Sequence, residues 1–84
     1  MPNLEPAIKL LNSIVEDRRV PRNIRAAAEK SKNDLEGNDR DMDVKLSSAI
    51  STLDEITNDP NIPMYTRTQI WNVVSMLEMT KREL

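Results

Sequence analysis

The sequence contains no cysteine and no histidine. The first absence excludes a disulfide framework and thiolate metal sites, and the second removes the commonest metal ligand and the usual general base at neutral pH. Without either residue no nucleophile with an adjacent base can be assembled, and the remaining Asp, Lys and Ser residues show no motif spacing. The single glycine, Gly37, cannot form a glycine-rich phosphate loop. A non-catalytic protein without cofactor, resident metal or evident small-molecule substrate is expected. Phenylalanine is absent and the aromatics are one Trp and one Tyr, which argues against strands. No apolar run approaches the roughly 18 residues of a membrane span, and the start MPNLEPAIKLL lacks the basic region and small-residue cleavage site of a signal peptide. A cytoplasmic location without membrane contact is the expectation.

What the chain does have is 84 residues rich in Leu, Ala, Glu, Lys, Arg and Met, a composition that favours helix. The expected fold class is all-α. At this length folding buries only about 60 to 65% of the unfolded surface, enough for one small core, so residues 1–84 are expected to form a single domain. The net charge of −2 gives the molecule as a whole no attraction for nucleic acid or anionic membrane.

The sequence repeats itself. Displaced by 42 positions, Leu4, Ala7, Ile8, Leu11 and Ile14 fall on Leu46, Ala49, Ile50, Leu53 and Ile56; Asp17, Pro21, Arg25, Leu35, Glu36 and Arg40 fall on Asp59, Pro63, Arg67, Leu77, Glu78 and Arg82. Unrelated sequences of ordinary composition would share about three residues over this length. Each copy reads as a helical hairpin, one over 1–42 and one over 43–84. Leu4, Ala7, Ile8, Leu11, Ile14 and Val15 recur at spacings of three and four, which predicts a helix over 4–17. Pro21 disfavours helix at Val20 but suits the first position of a new one, predicting a second helix over 21–36. Ile24, Ala27, Ala28, Ser31 and Leu35 form its inner stripe, and Gly37 stands where a left-handed cap would end it.

Asn38, Asp39 and Asp41 make the turn between copies, with Asp41 or Asp43 placed to accept from the free amides of a third helix. Pro63 opens a fourth that reaches about Arg82. Short connections make sequential helices antiparallel, and the expected architecture is an up-and-down four-helix bundle of two tandem hairpins with a pseudo-twofold axis. The alternative is a two-unit HEAT-like repeat. Asp17, Ile24-Arg25 and Ala27-Ala28 are similar to the acidic loop and Val-Arg-x-x-Ala-Ala opening of a HEAT helix, although the loop here has two extra residues and the second copy carries Gln69 and Ile70 in place of the alanines.

The segments VPRNIRAAAE at 20–29, DPNIPMYTR at 59–67 and IWNVVSMLE at 70–78 resemble Uncharacterised Protein Family 0147, a group of short archaeal proteins, over nearly the whole chain. The resemblance implies a small cytoplasmic all-helical protein of unknown function and supplies no active site to carry over.

The copies diverge in their second helices. Glu29, Ser31, Lys32 and Asp34 become Trp71, Val73, Val74 and Met76, and Gly37 becomes Met79. A helix apolar over most of its circumference must be buried on more than one side. With Ile70, Val73 or Val74, and Leu77 turned inward, Trp71, Met76 and Met79 are left as a candidate interface, most simply of a homodimer. Trp71 taken alone is expected in the core, because tryptophan is highly buried on average.

From Arg18 to Lys32 the chain carries six basic residues against one acid. Arg18, Arg19, Arg22 and Arg25 form a candidate patch for an anion, an acidic protein or RNA, because arginines at a helix start oppose its dipole unless an anion is near. No aromatic is interleaved with them to stack bases, and a solvated, salt-bridged surface is the simpler reading. The pairs Asp17 with Arg25 and Asp59 with Arg67 suggest either two equivalent anion sites or, preferably, an aspartate receiving loop amides and an arginine bracing each hairpin. Asp39-x-Asp41-x-Asp43 imitates the start of a calcium loop, but the required glycine and glutamate positions hold Val44 and Ile50.

Overall fold

The hydrophobic stripes form four helices in the computed structural model, which describes residues 3–84. They are α1 (Glu5–Glu16), α2 (Arg22–Glu36), α3 (Met42–Ile56) and α4 (Met64–Arg82), and no strand occurs among the described residues. Each helix packs against two others in a closed ring: α1 on α2 and α4, and α3 on α2 and α4. At 1.5 Å per residue α4 is about 28 Å long, most of the 34 Å long axis of the molecule.

The core is built from repeat-equivalent residues. Ala7 and Ala49, Leu11 and Leu53, Val20 and Ile62, Ala28 and Ile70, and Leu35 and Leu77 are all buried, each pair separated by the 42-residue period. Two further pairs exchange character while both members stay buried: Ile24 with Thr66, and Ser31 with Val73. The Ser31 hydroxyl is satisfied by donating to the Ala27 carbonyl at 3.0 Å, so it adds no unmet polar group to the interior.

The helix starts differ from expectation in one respect. Pro21 and Pro63 are not the first helical residues but stand one position earlier, with ψ of 150° and 145°. Their carbonyls serve as the first acceptors, receiving Arg25 N at 3.0 Å and Arg67 N at 2.9 Å. Gly37 also departs from the expected left-handed cap. It is extended, with φ −68° and ψ 153°, and its amide donates to Asn33 O at 3.0 Å. Glycine matters there for room, because a Cβ would stand 3.2 Å from Asp39 Oδ1. Asp41 precedes α3 but places no carboxylate oxygen on its amides, and Asp43 instead lies 3.8 Å from Lys81 Nζ on α4.

The loop aspartates behave as the sequence suggests. Asp17 Oδ1 accepts from the Arg19 amide at 3.0 Å, and Asp59 Oδ1 accepts from the Asn61 amide at 2.8 Å. Their carbonyls receive Val20 N and Ile62 N, so one turn is built twice. A carboxylate two residues before a free amide fixes such a turn locally.

The α2–α3 seam is held by Asp34. Its carboxylate accepts from Arg40 Nη2 at 2.7 Å, Ser48 Oγ at 2.9 Å and Lys30 Nζ at 3.4 Å. Partial burial alone would raise the Asp34 carboxyl, but the hydrogen bonds from Arg40 and Ser48 and the Lys30 charge outweigh it and hold the group below its ordinary value. The ionised form therefore stabilises the fold.

Two predictions follow from this core and this seam. Leu11→Ala and Leu53→Ala, both at fully buried equivalent sites, should each cost about 2 to 5 kcal/mol in urea unfolding. Asp34→Asn should cost about 1 to 2 kcal/mol at pH 7, the scale of a hydrogen bond to a charged group. The contribution of the Asp34 charge is complete above the unfolded carboxyl value and is lost as the pH falls through the lower folded one. The difference in urea midpoint between Asp34→Asn and the parent chain should therefore shrink as the pH falls below the ordinary carboxyl value.

Candidate interaction surfaces

Packing one stripe of α4 into the core dictates what its opposite side shows. Thr66, Ile70, Val73, Val74 and Leu77 are buried. At 100° per residue, Met64, Trp71, Ser75 and Met79 fall in an arc of about 80° on the far side. All four are exposed, Trp71 by 53% and Met79 by 57%. The expectation of a core position for Trp71 alone is overturned, because the core face of this helix is already filled by Ile70 and Val74. Met76 parts from the other two candidates: it is half-buried and packs against the rim of the core. Met64, 69% exposed, takes its place on the outer face. The spacing 64, 71, 79 is the sequence signal that would have found it.

This face also lacks charge. No charged residue occurs on α4 between Arg67 and Glu78. The outer sides of the other helices expose Glu5 and Lys9, Glu29 and Lys30, and Asp54 and Glu55. On this face the exposed indole stands in a charge-free stretch, with Arg67 on the side of Met64 and Glu78 on the side of Met79.

The arginine candidates lie at the end of the molecule where the two hairpin loops meet. Asn23, at the start of α2, donates to Asp59 Oδ2 of the second loop at 2.6 Å, which sets the segments 17–21 and 57–63 side by side. Arg18 and Arg22 are exposed and form no ion pair among the described residues. Arg19 is bound to Asp17 through Nε at 3.0 Å and Nη2 at 3.1 Å, yet 87% of its side chain remains exposed. Hydrogen bonds from the Arg19 side chain and amide hold the Asp17 carboxyl below its ordinary value.

Arg25 and Arg67 are half-buried, and the Nε of each is buried without a hydrogen-bond partner among the described residues. Neither forms an ion pair with its loop aspartate, so the expected bracing is not a salt bridge. The same two atoms are left over in both copies.

Sequence reasoning missed Tyr65. It is 66% exposed and shares with Arg19 a cleft of about 350 Å³ whose other walls are Asp17, Val20, Pro63 and Thr66. The acids near the inter-copy turn do not converge. Asp34 is engaged by Arg40, Ser48 and Lys30, and among the described residues no three carboxylates are grouped to hold a cation. No helix among the described residues is long and apolar enough to cross a membrane.

These features can be set beside known proteins. A relative from Methanocaldococcus jannaschii is 53% identical over 72 residues, covering 86% of this chain and 77% of that one. A relative from Pyrococcus furiosus is 42% identical, covering 96% and 92%. The crystal structure of MMP1188, a protein of unknown function, superimposes with a TM-score of 0.86 at 51% identity, covering 89% of this chain and 85% of its own. One from Thermoplasma acidophilum does so with a TM-score of 0.87 at 34% identity, covering 90% and 89%. Residues 2–80 match the description of a single family of archaeal sequences. The chain belongs to the uncharacterised protein family UPF0147.

Proposed function

We propose that the chain is a non-catalytic protein-interaction module, an antiparallel four-helix bundle of two hairpins that forms a homodimer through the outer face of α4. The closed ring of helix contacts supports the bundle. A HEAT-like stack would instead bring the backbones of α1 and α3, and of α2 and α4, into close approach, and neither pair approaches so among the described residues.

The observation that carries the dimer is the exposed Met64–Trp71–Met79 face, with charge only at Arg67 and Glu78. Tryptophan and methionine are enriched in interface cores, and each large apolar side chain taken fully from water contributes roughly 1.5 to 3 kcal/mol. A second copy fits this face by its own symmetry. Two α4 helices crossing antiparallel about a twofold axis, with Trp71 of one over Ser75 of the other, bring Arg67 toward Glu78 of the partner subunit at both ends of the contact. The small Thr68 and Ser75 leave room for the indoles, and opposite charges fall only at the margins.

Sedimentation equilibrium tests the proposal. At about 100 μM, above a micromolar dissociation constant, the chain should sediment at twice its 9.6 kDa mass. Trp71→Lys should weaken association by about 30-fold or more, as loss of a central anchor does, while leaving the unfolding free energy of the monomer, measured in urea at chain concentrations well below the dissociation constant, within about 0.5 kcal/mol. Glu78→Lys should weaken it and Arg67→Glu with Glu78→Lys should restore it. A chain that stays monomeric at that concentration would refute the dimer.

A further inference from the structure

The two hairpin loops repeat one turn but are covered differently. Over the second loop, Asn23 closes onto Asp59 at 2.6 Å. The residue at the equivalent position over the first loop is Tyr65, 42 places later. Here Asp17 is bound instead by Arg19, and the junction stays open as the cleft between Val20, Pro63 and Tyr65. The duplication thus supplies its own control: one junction is sealed by an amide, and the other presents an aromatic ring beside a guanidinium.

Next in sequence to this cleft, whose own lining pairs Arg19 with Asp17, the chain carries further positive charge. Arg18 and Arg22 are exposed and unpaired among the described residues, and the Arg19 side chain is 87% exposed. Arg22 and Arg25 occupy the first turn of α2, and Arg67 that of α4; neither turn contains an acid. Cations at a helix start are unfavourable unless an anion answers them. The aromatic that the linear order withholds from the arginine run is provided by folding, which carries Tyr65 to Arg19.

We propose that the Tyr65 cleft binds a single-stranded nucleic acid, with one unpaired base stacked on the Tyr65 ring and the neighbouring phosphates held by Arg18, Arg19 and Arg22. Stacking on an exposed ring next to a basic track is how unpaired strands are held, and a duplex keeps its bases out of reach of such a ring. The volume of about 350 Å³ is that of a small-ligand pocket. An acidic peptide would answer the arginines and leave the ring unused. The site lies beside the loops, away from Trp71 and Met79, and does not depend on the dimer.

Fluorescence anisotropy with a fluorescein-labelled single-stranded RNA of about 12 nucleotides, within the usual site size, tests it on the full chain. Binding should be measurable in about 50 mM salt and weaken steeply by about 200 mM. Tyr65→Ala should weaken it by about five- to a hundred-fold, the range for loss of one stacked base, and Tyr65→Phe should retain it. Arg18→Gln with Arg22→Gln should reduce the salt slope by about 1.4, or 0.7 per phosphate contact. The duplex of the same sequence should bind more weakly, and Trp71→Lys should bind like the parent chain. An unchanged urea midpoint for Tyr65→Ala shows that the variant is folded. Absence of binding at low salt, or full binding by Tyr65→Ala, would overturn the site. Equal affinity for the duplex would overturn the stacked base, and loss of binding in Trp71→Lys would overturn its location.

Discussion

Closure of a shared interior by two copies of one hairpin is the constraint from which the other features follow. A chain this short cannot afford two cores, so Leu11, Leu35 and their partners Leu53 and Leu77 must meet in the same space. Each helix then has one committed face, and what lies on its reverse is free to differ between copies. On α2 the reverse side is charged. On α4 it is an indole and two thioethers. The two halves therefore differ most where packing makes no demand, and in the interior by exchanges such as Ile24 with Thr66 and Ser31 with Val73.

The loop end shows the same division of labour at finer scale. Both aspartates keep the turn, through equivalent bonds to the amides of Arg19 and Asn61. Only the residue covering each turn has changed, Asn23 in one place and Tyr65 in the other. The half-buried Arg25 and Arg67, each with an unmatched Nε, show that the repeat preserves a polar oddity as faithfully as its leucines. Such groups are uncommon in folded interiors, and their recurrence ties them to the shared hairpin.

Much of this was legible in the amino-acid order. Spacings of three and four and the prolines placed α1, α2 and α4 to within a residue or two, and the 42-residue period aligned buried pairs such as Leu11 with Leu53 and Leu35 with Leu77. The loop aspartates were also readable, because a carboxylate acting on an amide two residues away is a local effect. Trp71 was misread when judged alone, since average burial says nothing about which side of a particular helix is already occupied. Gly37 was misread because glycine serves two needs, backbone freedom and space, and here only the second applies. Tyr65 was missed for a different reason. Its approach to Arg19 crosses most of the chain, and only the packing of both loops at one end brings the two together.

The position of the lone indole has a practical corollary for optical work. Because Trp71 is already half in water, melting the interior changes its surroundings little, and its emission is a poor gauge of the folded fraction. Helical ellipticity serves that purpose. Emission is sensitive instead to whatever comes to rest on the back of the last helix, so the molecule carries a built-in optical probe of its own outer surface.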